Sequence, residues 1–73
     1  MKPAELKPLI GRNVGLYWNG YRTGKVVGAP KADTLRIQLL PPYGRRTVAL
    51  DHVCQVFWYG KVRTVAEYLV LRK

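Results

Sequence analysis

Turn-forming residues recur so closely along this chain that its middle has room only for short strands. Gly11, Gly15, Asn19-Gly20, Gly24, Gly28-Ala29-Pro30, Pro41-Pro42-Tyr43-Gly44 and Gly60 divide it into pieces of a few residues each, and such pieces between Gly, Pro and Asn read as β-strands. Val14, Leu16 and Trp18 alternate with Gly15 and Tyr17, the period-two pattern of a half-buried strand. Asn19-Gly20 tolerates the positive φ that a tight type I′ turn needs at both central positions, so Asn13–Trp18 is expected to pair antiparallel with Tyr21–Val27. From Asp33 to Leu40 the alternation is cleanest, with Leu35, Ile37 and Leu39 facing a core and Thr34, Arg36 and Gln38 facing water. Proline removes a ladder donor, so Pro41-Pro42-Tyr43-Gly44 must turn the chain into a fourth strand, Arg45–Leu50, where Val48 and Leu50 alternate. A brief turn at Leu50-Asp51-His52-Val53 precedes a fifth strand, Cys54–Tyr59.

The period changes near the end. Val62, Val65, Ala66, Leu69 and Val70 follow helical spacing, and Thr64-Val65-Ala66-Glu67 has the form of a capping box, Thr at N-cap and Glu at N3. A short C-terminal helix over residues 64–73 is favoured over the alternative, a sixth strand through Tyr68–Leu71. Pro3-Ala4-Glu5-Leu6 suits one helical turn. Without repeat, linker or low-complexity stretch, residues 1–73 read as a single domain.

A chain of 73 residues buries only about 60% of its unfolded surface, which leaves no deep cleft between lobes. Function is therefore expected on a surface or at an oligomer interface. No nucleophile has a companion base, and there is no Gly-rich phosphate loop and no usefully spaced carboxylate pair, so the protein is expected not to be an enzyme. Asp51-His52 reads as part of a turn, and Cys54, between valines, as a small buried hydrophobe. One Cys and one His allow neither an internal disulfide nor the usual zinc ligand sets; no metal or cofactor is expected. The apolar runs are far shorter than the roughly 20 residues that span a bilayer, and Met1-Lys2-Pro3-Ala4-Glu5 lacks a signal-peptide core. The expectation is a complete cytoplasmic protein that does not enter membranes.

Thirteen Lys and Arg against four Asp and Glu give a net charge of +9, which draws the domain toward polyanions. Nucleic acid, DNA or RNA, is the leading partner, and an acidic protein segment is the alternative. Two Trp, five Tyr and one Phe add rings on which bases stack.

One tight hairpin, one proline-glycine turn and a brief turn before the last of five strands resemble an SH3-like barrel. Within residues 11–53, the segments Gly11-Arg12-Asn13-Val14-Gly15-Leu16-Tyr17-Trp18, Gly24-Lys25-Val26-Val27, Leu35-Arg36-Ile37-Gln38-Leu39, and Tyr43-Gly44 leading to Leu50-Asp51-His52-Val53 resemble Tudor-like domains. KOW and chromo-like modules are similar nearly as closely. The resemblance implies a mainly β fold, a five-stranded antiparallel SH3-like barrel with the short C-terminal helix packed on it. It also implies an aromatic cage, with Trp18 and Tyr43 in two of its positions, of the kind that holds methylated lysine or arginine by cation–π attraction. Two departures turn that site toward anions: Arg22 stands where the second strand would offer another aromatic, and Arg45-Arg46 follow Tyr43-Gly44 where a small polar or acidic residue is usual.

The expected function is thus non-enzymatic nucleic-acid binding with weak sequence specificity. Arg22, Lys25, Arg36, Arg45 and Arg46 are expected to meet phosphates, with Arg22, Arg36 and Arg45 forming a stripe on one face. Tyr17, Tyr21 and Tyr43 are expected to supply exposed contact area, with Tyr59 also exposed. Trp18, Phe57 and Trp58 are candidates to fill the core. The alternative is a protein-interaction module that holds an acidic or methylated segment or builds a homo-oligomer.

Overall fold

The computed structural model describes residues 1–72. Its strands are β1 (Asn13–Tyr17), β2 (Tyr21–Gly28), β3 (Thr34–Leu39), β4 (Arg45–Ala49), β5 (Val53–Trp58) and β6 (Lys61–Arg63), with a helical turn α1 (Pro3–Leu6) before them and a helix α2 (Val65–Leu71) after. Every ladder is antiparallel, and the strands lie in the order β4-β3-β2-β1-β5-β6. The fold is therefore mainly β with a short C-terminal helix.

Two features of the expected barrel need correction. There are six strands, because the chain reverses at Tyr59-Gly60 and runs back as β6 beside β5. Tyr59 (φ 51°) and Gly60 (φ 74°) both take the left-handed conformation of a tight hairpin turn. The sheet is also not closed into a barrel. With β1 on one side of β5 and β6 on the other, β5 has no free edge to offer β4, so β4 and β6 remain the two edges.

Apolar residues on the inner side of the sheet make the core: Val14, Leu16, Val26, Leu35, Ile37, Leu39, Val48, Val53 and Val56. Leu6 and Leu9 from the N-terminal segment and Tyr68 and Leu69 from α2 complete it. Among the described residues no charged side chain is buried there, and the one hydroxyl, that of Tyr68, donates to the Pro8 carbonyl. Trp18 and Trp58 are only partly buried and pack against its margins, so the interior is aliphatic apart from Tyr68.

At the start of α2 the capping box forms as the sequence predicts. The Glu67 amide donates to the Thr64 hydroxyl (3.1 Å) and the Thr64 amide to the Glu67 carboxylate (2.9 Å), which holds the Glu67 carboxyl below its ordinary pKa. The segment through Tyr68–Leu71 is helix and not strand; Lys73, the last residue of the expected helical segment, lies outside the described residues. No helix among the described residues is long and apolar enough to cross a membrane.

Cys54 is exposed, contrary to the expectation of burial. Gly15 pairs with Gln55 but Leu16 with Val53, so Cys54 is the extra residue of a β-bulge, pushed out of the alternation that buries its valine neighbours.

Candidate nucleic-acid interface

Cross-strand partners share a face of a sheet, and so do residues two apart on one strand. On that basis the register builds the outer face directly. Lys25 stands opposite Gln38 and Gln38 opposite Arg45, which draws a line across β2, β3 and β4. The line continues through Asn13 to Phe57 on β5. Two residues along β3, Arg36 lies opposite Thr47. Lys25, Arg36 and Arg45 are all exposed. With strands about 4.8 Å apart, Lys25 and Arg45 are separated by roughly 10 Å across the sheet.

Neutral groups steady these cations. The Arg45 Nε donates to the Gln38 side-chain oxygen at 2.9 Å, and the Arg36 Nε to the Thr47 hydroxyl at 3.4 Å. Among the described residues the one ion pair joins the Met1 amino group to Asp33, and no lysine or arginine side chain is paired with a carboxylate. Glu5 and Glu67 accept instead from the backbone amides of Lys2 and Thr64. The described lysine and arginine side chains are thus without carboxylate partners, and the outer sheet face carries three of them, Lys25, Arg36 and Arg45.

Two tyrosines extend this face beyond the cations. Tyr17 and Tyr21 are cross-strand partners with rings 5.4 Å apart in an edge-on arrangement, 59% and 47% exposed respectively. The Tyr21 hydroxyl bonds the Gln55 side chain on β5, so its ring lies across β1. Gly15 permits this, since a Cβ there would collide with the Tyr21 hydroxyl. A ring laid over a glycine is fixed against the sheet and presents its far side to solvent. At the same end, His52 Nδ1 lies 2.8 Å from the Tyr17 carbonyl.

Arg22 does not join the stripe. Its strand partner is Leu16, which places it on the core side of β2, at the open end where Trp18 and Tyr43 meet edge to face (5.7 Å, 87°). Its guanidinium lies 3.9 Å from the Tyr43 ring centre and 5.8 Å from that of Trp18. Nε donates to the Trp18 carbonyl (2.8 Å), and Nη2 to the Asn19 carbonyl (2.9 Å) and the Tyr43 hydroxyl (3.1 Å). Arg46, opposite the inward-facing Ile37, approaches the Trp18 ring at 5.5 Å. The two expected cage aromatics are thus in contact with each other, and the chain's own arginine lies against both, closest to the Tyr43 ring.

Of the residues singled out from sequence, the structure brings together Tyr17, Tyr21, Lys25, Arg36 and Arg45 on the outer face. It gathers Trp18, Arg22, Tyr43 and Arg46 into a separate cluster at the open end. Tyr43, expected to be exposed, is partly buried by its packing in that cluster. Gln38, Gln55 and Thr47, which carry no charge signal in the sequence, turn out to hold the cations and Tyr21 in place.

Arg22→Ala is expected to lower the unfolding free energy by about 2 kcal/mol in urea denaturation, through loss of the charged hydrogen bonds and the stacked ring contact. Oligonucleotide affinity should stay within about twofold of wild type, because the three fixed contacts of this side chain are all internal. Equal losses in both measurements would return Arg22 to the binding face.

Comparison with protein-family models, with curated proteins and with solved structures finds no match.

Proposed function

We propose that this chain is a non-enzymatic nucleic-acid-binding domain that lays the outer face of β2, β3 and β4 along a phosphate backbone. The observation that carries this reading is the alignment of Lys25, Arg36 and Arg45 on one exposed face in a chain of charge +9 whose described arginines and lysines have no carboxylate partner. Such a face gains by releasing the counterions of a polyanion, and backbone contact of this kind carries little sequence information. The exposed rings of Tyr17 and Tyr21 add area suited to bases.

For the finer fold, we read β1 to β5 as an unclosed variant of the SH3-like, Tudor-like arrangement. The strand order β4-β3-β2-β1-β5 and the single 3-10 turn, Leu50–His52, between β4 and β5 support that reading. Recognition of a methylated segment is the weaker use of this frame, since the Arg22 guanidinium already lies over the Tyr43 ring at 3.9 Å and Trp18 packs edge to face against that ring.

Fluorescence anisotropy with labelled single-stranded RNA, single-stranded DNA and duplex DNA, each at two salt concentrations, tests the proposal. Micromolar or tighter binding is expected at low salt, with log K falling against log salt at a slope of about −2 to −3 for three phosphate contacts. Absence of binding to all three at low salt, or binding indifferent to salt, would overturn it.

A further inference from the structure

The outer face of the sheet is chemically divided across its strands. Its cations, Lys25, Arg36 and Arg45, stand on β2, β3 and β4. On β1, β5 and β6 the outward positions in register hold Asn13, Gly15, Tyr17, Gln55, Phe57 and Val62, with no lysine or arginine among them. The Tyr21 ring belongs to this uncharged half as well, because it crosses Gly15 of β1 and its hydroxyl bonds Gln55 of β5. One row passes through both halves, from Arg45 by Gln38, Lys25 and Asn13 to Phe57. Lys25 and Phe57 are two strand spacings apart on it, roughly 10 Å.

Two observations bear on what the uncharged half would take. Phe57, a sequence candidate for the core, is instead half-buried on the outer face. The Tyr21 hydroxyl reaches Gln55, two residues from Phe57 on the same face and so about 7 Å along the strand, which sets aromatic rings at successive positions. Where the two halves meet, the face is hollowed by a depression of about 360 Å³ lined by Asn13, Thr23, Lys25, Gln38, Leu40 and Phe57, within the range of small-ligand sites, about 300–1,000 Å³. It combines an aromatic ring, a leucine that is 70% exposed, side-chain amides that both donate and accept hydrogen bonds, and a cation. A planar ring with hydrogen-bonding edges, joined to a phosphate, matches that set.

We propose that the outer face binds a single strand of nucleic acid, with its phosphates over β2, β3 and β4 and its unstacked bases over β1 and β5, one in the depression against Phe57 and a neighbour on the Tyr21 ring. The inference rests on the outer face being a nucleic-acid interface and adds to it the strand type and the side on which the bases lie. A duplex could set its phosphates on the same cations, but its base faces are stacked away inside it and would leave Phe57 and Tyr21 unused. DNA and RNA single strands share the required chemistry.

The test compares wild type, Phe57→Leu and Tyr21→Leu against fluorescein-labelled single-stranded DNA, single-stranded RNA, duplex DNA and an abasic single strand of equal length, with circular dichroism to confirm folding. Tyr21 lies outside the core, so its variant carries the test if Phe57→Leu fails to fold. Wild type is expected to bind a base-bearing single strand about tenfold or more tightly than the duplex. Each folded variant should bind that strand about 5- to 100-fold more weakly than wild type, with an unchanged salt slope, and should match wild type on the abasic strand. The tighter of DNA and RNA identifies the source of the strand. Duplex bound as tightly as single strand, no loss in any folded variant, or an equal loss on the abasic strand would overturn the division of the face while leaving its phosphate contacts standing. Failure of wild type to bind any of the four would overturn both.

Discussion

Tyr68→Ala is expected to remove most of the stability of this domain. Tyr68 is fully buried and joins three separate parts of the chain. From α2 its ring meets Trp58 of β5 edge on at 5.6 Å, its hydroxyl donates to the Pro8 carbonyl of the N-terminal segment at 2.9 Å, and Arg12 lies 6.0 Å from the ring centre. Truncating a large buried aromatic costs about 3–5 kcal/mol through lost transfer energy and the cavity left behind. A chain this short has about 4–11 kcal/mol in total at typical values per residue. Urea denaturation should therefore find Tyr68→Ala largely unfolded or close to it. Tyr68→Phe keeps the ring and loses only the bond to Pro8, so it should fall by about 1 kcal/mol. A Tyr68→Ala protein with the wild-type midpoint would mean that α2 does not hold the core shut.

The position of α2 was readable from sequence because its signals are local. Thr64 and Glu67 cap each other across one turn, and the helical spacing of Val65, Leu69 and their neighbours needs no knowledge of the rest of the chain. The same holds for β3, where Leu35, Ile37 and Leu39 face inward and Arg36 and Gln38 outward as the alternation requires. Features set by partners were not readable. β6 is three residues long, too short to show a period, and exists because β5 offers it an edge. The bulge at Cys54 arises from the mismatch of β1 with β5 and leaves no mark in the local pattern.

The face of Arg22 was lost through a single residue of loop length. A two-residue turn at Asn19-Gly20 would pair Trp18 with Tyr21 and Tyr17 with Arg22. In the structure Tyr17 pairs with Tyr21, Trp18 joins the loop and its amide bonds the Gly20 carbonyl (2.9 Å). A slip of one residue turns every side chain of a strand to the opposite face. Tyr21, Thr23 and Lys25 thereby reach the outer face, while Arg22, Gly24 and Val26 turn inward. The candidate site was thus legible as a set of residue types, but its division into an outer face and a separate cluster of Trp18, Arg22, Tyr43 and Arg46 was a matter of register.

The largest functional effect is expected from neutralising the outer face. Lys25→Gln, Arg36→Gln and Arg45→Gln together remove three charges from a line and its neighbouring row that span β2, β3 and β4, all exposed and none ion-paired. Long polar replacements keep the surface hydrated and the ladders intact, so folding should be little changed. Each lost phosphate contact flattens the salt dependence by about 0.9, and contacts of this kind together support an affinity loss on the order of 100-fold or more at low salt. A protein that binds only through its overall charge would respond equally to any three neutralised cations. Lys7, Lys61 and Arg72 provide that comparison, being exposed residues of the N-terminal segment, the far edge strand β6 and the end of α2. Both triple variants carry the same reduced charge, so long-range attraction is matched between them.

The measurement to make is the oligonucleotide affinity of these two triple variants, side by side, across a salt series. The outer-face variant should lose about 100-fold at low salt and about 2 to 3 units of slope, with the comparison variant staying within about fivefold of wild type. Equal losses in the two variants, or an outer-face variant that binds as wild type does, would contradict the assignment of this face.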